Sequence, residues 1–471
     1  MVNDKILSVG IDIGTTTTQV IFSEITIQNT ADSFFVPKVK IVDKRIIYKG
    51  KIYFTPLVSR KSINLEKLKS IIQQEYNRAN VKKEHISTGA IIITGETARK
   101  ENAQQVLNIL SDFAGDFVVA TAGADLESIL AAYGAGAYKV SKNISGKVVN
   151  FDIGGGTTNA CVFSEGKIVD SFALHIGGKL IGFDDSGNVI YISEKIGRLL
   201  ESLNLNINIG SRPKLYDLNI LVSKFADIIF KIGSNINLSL EEMELFIQHK
   251  NKELTAQVFM FSGGVAEFVY SDYEVNILED TLKYKDIGPL LGVYIRGILK
   301  EGKYKFLEPK EKIRATVIGA GSHSIKISGS TIIFDEDILP IKNIPIIKVK
   351  DDLLEHQDVM YEYVSEKIKM YGDSMVAISF KGPLSPSYRQ IQLMAGGIIK
   401  CFKIIKHYPI IVVVENDFAK ALGQTIKARC NFSRKVVCID GISTDNGDYI
   451  DIGKSVGGII PVAVKTLIFN N

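Results

Sequence analysis

The chain has 471 residues, enough for two or three domains each with its own core. Its 46% apolar and 23% charged residues fit a globular protein in water, and a net charge of +4 without any run of five or six lysines and arginines argues against nucleic acid as a partner. Cys161, Cys401, Cys430 and Cys438 form no C-x-x-C pair, the six histidines show no ligand spacing, Met1 to Leu7 is no signal peptide, and the most apolar stretch, Pro409 to Val414, is far too short for a membrane span. A cytoplasmic protein with reduced thiols and no membrane contact is the expectation.

In chain order, Leu7, Val9, Ile11 and Ile13 alternate with Ser8, Gly10 and Asp12, which predicts a strand. It runs into Gly14-Thr15-Thr16-Thr17, and an apolar strand resumes over Gln19 to Ile25. Lys38 to Ile47 reads as a third strand, Asn64 to Ala79 as a helix, and Ala90 to Thr94 as a buried strand ending in Gly95-Glu96-Thr97. A helix over Arg99 to Leu110 and a short strand over Phe117 to Ala120 follow. Gly123 to Tyr138 is a helix rich in alanine and glycine, a face that allows tight packing or a hinge between lobes.

The pattern then repeats. Val148 to Ile153 is a strand with Asp152 opposite Phe151 and Ile153, followed by Gly154-Gly155-Gly156-Thr157-Thr158 and further strands over Asn159 to Phe163 and Ile168 to Phe172. Helices over Ser193 to Leu203 and Asp217 to Phe230 lead to a strand, Gln257 to Phe261, that runs into Ser262-Gly263-Gly264. Ile287 to Leu299 is a last helix with glycines on its surface. Two strand–Asp-x-Gly–Thr–strand hairpins 140 residues apart point to an internal duplication. From Lys303 onward Arg314 to Ile318 reads as a strand entering a Gly/Ser loop, in which His323 is a local hydrogen-bonding residue. Alternating strands and helices from Val376 to Ile439 then predict a parallel sheet. The expected division is 1–146, 147–302 and 303–471.

Glycine turns let a ligand approach the backbone, and their N–H groups form concavities suited to phosphate oxygens. A carboxylate at the mouth of such a turn repels phosphate unless a cation stands between them, so Asp12 and Asp152 imply Mg²⁺. Two facing turns would clamp one ATP: Gly14, Thr15, Thr16 and Thr17 from one half, Gly154, Gly155, Gly156, Thr157 and Thr158 from the other, with Gly263 and Gly264 at the base. Asp12 and Asp152 are the candidate catalytic and metal-binding acids. Asp451-Ile452-Gly453 and Gly453-Lys454-Ser455 are set aside as hairpin structure, because a P-loop needs glycine where Asp448 stands.

The paired I-D-I-G-T-T-T-T and F-D-I-G-G-G-T-T-N, the small-residue helices and Phe261 to Gly264 resemble the superfamily of actin, DnaK-type chaperones and sugar kinases. Longer strings, Ile92 to Ala103, Val118 to Ser128, Val317 to Ser324 and Asp445 to Gly453, resemble the EutA family of ethanolamine ammonia-lyase reactivating factors, over Ser8 to Phe469. The resemblance implies a duplicated actin-like ATPase fold, α/β with two ribonuclease H-like halves around a nucleotide cleft, and an additional C-terminal α/β domain. It implies ATP and Mg²⁺ as cofactors and ethanolamine ammonia-lyase, an adenosylcobalamin enzyme, as the partner opened for exchange of damaged cobalamin. Ala124 stands where the family has proline, leaving Asp125 in place and Glu127 as a candidate third acid. A homodimer and residence in a bacterial microcompartment are open; no N-terminal extension for entry is evident. A small-molecule kinase and an actin-like filament protein are the competing readings of the phosphate turns.

Overall fold

The computed structural model describes residues 4–29, 39–59, 62–86, 88–94, 102, 105–106, 110, 118–121, 124–247, 254–323, 325–328, 332–370, 375–444, 448–455 and 460–466. The turn expected at Gly95 to Thr97 and most of the helix expected over Arg99 to Leu110 lie outside these.

The first sheet is built around β1 (Asp4–Ile13), whose Ile6, Val9, Ile11 and Ile13 are buried on one side and another, with Ser8 and Asp12 also covered. The strands β2 (Thr17–Asn29) and β3 (Val39–Lys49) run antiparallel on its one flank; β4 (Thr88–Ile93) and β5 (Val118–Thr121) run parallel on the other. The order is β3-β2-β1-β4-β5. The helix α1 (Leu65–Ala79) covers one face through Leu68, Ile72 and Tyr76, whose ring meets Phe22 edge-on at 4.9 Å. Its start is set by Asn64, whose side chain accepts from the Lys67 N–H at 3.1 Å, a cap worth about 1 kcal/mol.

The second sheet repeats the plan. Its strands β6 (Lys147–Ile153), β7 (Thr158–Ser164) and β8 (Lys167–Leu174) form an antiparallel set, and β9 (Ala256–Ser262) joins β6 in parallel, giving β8-β7-β6-β9. Phe259 makes a lone parallel bridge to Phe306 where the first half has its fifth strand. Registers agree between the halves: Asp12 pairs with Gln19 across the β1–β2 hairpin, and Asp152 with Asn159 across β6–β7. Both turns are closed by the same bond, Gly14 N–H to the Thr17 carbonyl at 2.9 Å and Gly154 N–H to the Thr157 carbonyl at 3.0 Å. The duplicated actin-like fold expected from the sequence is present.

Two helices tie the halves together by exchange. The helix α2 (Ala124–Ala135) follows the first sheet in the chain but lies on the second, with Ser128 Oγ donating to the Phe172 carbonyl at 3.2 Å and Ala132 buried beside Val148, Cys161 and Phe163. The helix α3 (Leu215–Gly233) lines the core of the second half, and α4 (Gly288–Lys300) joins it through Leu290, Leu291, Ile295 and Leu299. The helix α5 (Ala315–His323) returns to the first sheet, where Val317 and Ile318 bury Ile21. One expected strand is corrected here, and the crossing is assigned. Arg314 to Ile318 is not a strand, and the helix that crosses α2 is α5, whereas α4 stays within the second half. Gly134 and Gly319 make the crossing possible: a methyl on either would collide with the Ala315 or Leu130 carbonyl oxygen.

Beyond α5 lies an eight-stranded sheet. Its strands are β10 (Ile325–Ile327), β11 (Ile333–Phe334), β12 (Ile341–Lys348), β13 (Ala377–Phe380), β14 (Ile410–Val414), β15 (Val436–Ile439), β16 (Asp448–Ile452) and β17 (Pro461–Thr466). The expected parallel strands are β13-β14-β15; β12, which was not expected, joins them in parallel, and antiparallel β16, β17 and β10 extend the sheet on one side and β11 on the other, so the sheet is mixed. Its helices α6 (Gln357–Met370), α7 (Tyr388–Cys401) and α8 (Ala419–Arg429) pack on a core of Ile378, Val412, Ile398 and Leu422. Asp451-Ile452-Gly453 belongs to the β16–β17 hairpin, as expected. Among the described residues no helix is long and apolar enough to cross a membrane.

Candidate functional site

The two Asp-headed turns face each other across the interface of the halves. Gly155 packs against Thr16. The first turn is braced by Thr55, whose N–H donates to the Thr16 carbonyl at 2.9 Å and whose hydroxyl donates to the Gly14 carbonyl at 2.8 Å. The second is braced by Gly178 N–H to the Gly154 carbonyl at 3.0 Å and Lys179 N–H to the Gly155 carbonyl at 2.6 Å. In each half a hydroxyl at the end of the parallel neighbour strand donates to the aspartate: Thr94 to Asp12 Oδ1 at 3.0 Å, and Ser262 to Asp152 Oδ1 at 2.6 Å. Ser262 in turn accepts from Asn150 Nδ2 at 2.9 Å. Thr316, carried by α5, reaches Asp152 Oδ2 at 3.4 Å. One acid of the second half is thus held partly by the helix that rests on the first.

Both carboxyls are nearly closed off from water, Asp12 at 8% and Asp152 at 5% exposure. Burial pushes Asp12 up to about 7, against the pull of the Thr94 hydroxyl and with a further push from the Asp152 charge. Burial likewise raises Asp152 to about 6, opposed by the Ser262 and Thr316 hydroxyls. Perturbed acids grouped in a cleft are a physical mark of function.

The cleft is a cavity of about 710 Å³, the size of a small-molecule site. It is lined by Asp12, Gly14, Thr15, Thr16, Thr17, Glu127, Asp152, Gly154, Gly155, Gly156, Thr157, Gly263 and Gly264. The structure therefore brings together every residue expected at the site except Thr158. That residue is fully buried and donates its hydroxyl to the Ile176 carbonyl at 2.8 Å, away from the cavity. Thr158→Val is expected to cost about 1–2 kcal/mol in a denaturant titration, by leaving a buried carbonyl unpaired, and to leave nucleotide affinity unchanged. Gly263 holds φ at +84° against the Ile153 carbonyl, a place only glycine fits.

A family model for the ethanolamine utilisation protein EutA matches residues 4–470. Two curated relatives named ethanolamine ammonia-lyase reactivase EutA, from Salmonella typhimurium and Escherichia coli, are each 33% identical to this chain, over 99% of it and 99% of their own length. The chain belongs to the EutA family. The solved Aquifex aeolicus PPX-GPPA enzyme, 14% identical, matches 67% of this chain and 99% of its own at a TM-score of 0.42. So loose a likeness carries no argument, and the fold rests on the repeated strand order.

In this EutA-family chain the far end of the cavity was not legible beforehand. It is walled by Phe268, Tyr273 and Tyr284, the last two each with ring centroids 5.2 Å from Phe268, and by Asp286. These residues follow Gly264 on a short helix and loops without a motif, and only packing assembles them. Such an aromatic wall suits a flat base. Asp286 accepts from the Gly288 N–H at 2.9 Å and is pushed up to about 7 by burial, with the Gly288 N–H and the Lys179 charge pulling the other way. Ile52, Tyr53 and Phe54 form the opposite rim, and Tyr53 is held by the buried Glu75, which accepts its hydroxyl at 2.5 Å.

Among the described residues no group of three or more His, Cys, Asp and Glu is arranged to hold a metal by itself. Mg²⁺, however, commonly takes one or two carboxylates and completes its shell with waters and substrate phosphates. Asp12 and Asp152 meet that pattern. Thr16 Oγ1 and Gln19 Oε1, both on the cavity wall, are buried without a hydrogen-bond partner among the described residues, the condition expected where a ligand supplies the missing contacts. The donor set fits a cation that arrives with a nucleotide.

Proposed function

We propose that this chain is an ATP-driven reactivating factor of ethanolamine ammonia-lyase, which opens the inactivated enzyme so that damaged cobalamin leaves and adenosylcobalamin enters. The observation that carries the ATPase part is the meeting of two matching Asp-headed turns at one cavity, with the α2–α5 crossing behind it. The partner follows from family membership over almost the whole chain and from the names of its relatives. Backbone N–H groups of the two turns and the Thr15 to Thr17 hydroxyls hold the phosphates, and the Phe268–Tyr273–Tyr284 wall receives the base. When bound, Mg²⁺ held by Asp12 and Asp152 supplies neutralisation of phosphate charge. Both oxygens of Asp152 accept hydroxyls, whereas among the described residues Asp12 accepts one at Oδ1 alone, which supports Oδ2 of Asp12 as the acceptor of an attacking water's proton. That water's oxygen bonds the terminal phosphorus as the bond to the ADP oxygen breaks. Cys161, Cys401, Cys430 and Cys438 form no disulfide among the described residues, which suits a reducing cytoplasm.

The test uses lyase inactivated by its own turnover, mixed with this protein, Mg²⁺ and fresh adenosylcobalamin. Recovery of ammonia production with ATP, and not with a non-hydrolysable analogue, is the expected result. Recovery without nucleotide would sink the ATP-driven mechanism; no recovery while ATP is cleaved would sink the partner.

A further inference from the structure

Asp12, Glu127, Asp152, Glu267, Asp272 and Asp286 line the cavity, and among the described residues no lysine, arginine or histidine does. A triphosphate entering such a space meets like charge on several sides, and one divalent cation leaves a large excess. Most cations around the rim are engaged elsewhere. Arg314 donates to the Gly50 carbonyl at 3.0 Å, Arg296 to the Tyr273 carbonyl at 2.6 Å, Lys49 pairs with Glu311, and Lys285 pairs with Asp185 at 2.6 Å.

Lys179 differs in three ways. It is exposed, and its side chain takes part in no ion pair or hydrogen bond among the described residues. It is rooted on the second turn: its N–H donates to the Gly155 carbonyl at 2.6 Å, and its Cβ stands 3.4 Å from where a methyl on Gly155 would project. Its charge is also felt inside the cavity, since it is one of the influences drawing Asp286 downward.

We infer that Lys179 is the protein cation that meets the nucleotide's phosphates, its ammonium folding inward over Gly155 when a triphosphate occupies the cavity. The inference rests on the nucleotide reading of that cavity and adds a residue to it. The flexible four-carbon stem of lysine allows this movement, and its compact ammonium suits a phosphate. Lys51 is the rival. It too is exposed, beside Ile52 of the rim, but its backbone N–H donates to Glu75 Oε2 at 3.1 Å and it has no bond to either turn.

The experiment compares full-length wild type with Lys179→Ala, Lys179→Arg and Lys51→Ala, titrated with Mg²⁺-ATP and with adenosine, which lacks the phosphates. Lys179→Ala is expected to weaken Mg²⁺-ATP by about tenfold or more while adenosine binds within about twofold of wild type, as a charge-assisted phosphate contact requires. Lys179→Arg should keep most of the ATP affinity, and Lys51→Ala all of it. ATP binding unchanged in Lys179→Ala would overturn the inference, as would an equal loss of adenosine. A wild type that binds neither ligand would remove the nucleotide reading itself, and the inference with it.

Discussion

Asp12→Asn is expected to abolish ATP-dependent reactivation and, in the same protein, to raise the stability of the nucleotide-free and metal-free form at pH 8. The first effect follows from position: Asp12 heads the first turn, and loss of a positioned acid or base lowers turnover by about a hundredfold or more. The second follows from burial. The Asp12 carboxyl lies at about 7 when folded against an ordinary 3.8. Below pH 3.8 it is protonated in both states and costs nothing. Between pH 4 and 7 the folded state holds a proton that the unfolded chain has released, so stability falls as pH rises, and it levels off above 7. Asparagine removes that loss while still accepting from Thr94. The gain should be up to about 4 kcal/mol at pH 8 and shrink to about 2 kcal/mol at pH 5, at 1.36 kcal/mol per unit. Thermal unfolding of both proteins at the two pH values checks it. A melting temperature equal to wild type at pH 8, or a gain larger at pH 5, would refute the account.

Gly319→Ala is expected to do the reverse. At this point α5 crosses α2 with backbone against backbone, and the added methyl would overlap the Leu130 carbonyl oxygen. Neither helix can yield without moving the sheet beneath it, because interiors are packed like crystals. A cost of about 3 kcal/mol or more is expected, with reactivation lost. Gly134→Ala, facing the Ala315 carbonyl from the other helix, should behave alike. Gly297→Ala is the control: it sits on α4 with open space around it, and alanine there should stabilise the helix by up to about 1 kcal/mol. If all three variants unfold at one temperature, the crossing is not the tight contact described here.

The two Asp-headed turns were readable because two local signals coincide in them. Strict alternation around Asp12 and Asp152 marks strands, and a run of glycine or threonine marks the turn. The exchange of helices was not readable for a physical reason. Ala315 to His323 contains Thr316, Val317 and Ile318, whose branched side chains favour strands, and two glycines that weaken a helix; packing onto Ile21 and α2 decides the outcome. The strand β12 hides for a related reason. Pro345 argues against a strand, yet it sits beside a register shift and just before the parallel ladder with β13 begins at Ile346. Thr158 was misassigned to the ligand because the chain letters run on past the turn, while the pleat sends its hydroxyl to the opposite face.

The direct passage from α5 into β10 couples the eight-stranded sheet physically to the first half. A single residue separates His323 from Ile325, β10 pairs with β17, and β17 lies against β5 at the edge of the first sheet. The third sheet is therefore geared to the first half by a helix at its root and a strand at its flank. If the cavity opens and closes as the proposed ATPase cycle requires, this sheet would swing with the first half against the second like a boom on a mast. On that reading small movements at the cavity would become long strokes at the far rim of the C-terminal sheet, where the proposed reactivation would act on its partner enzyme.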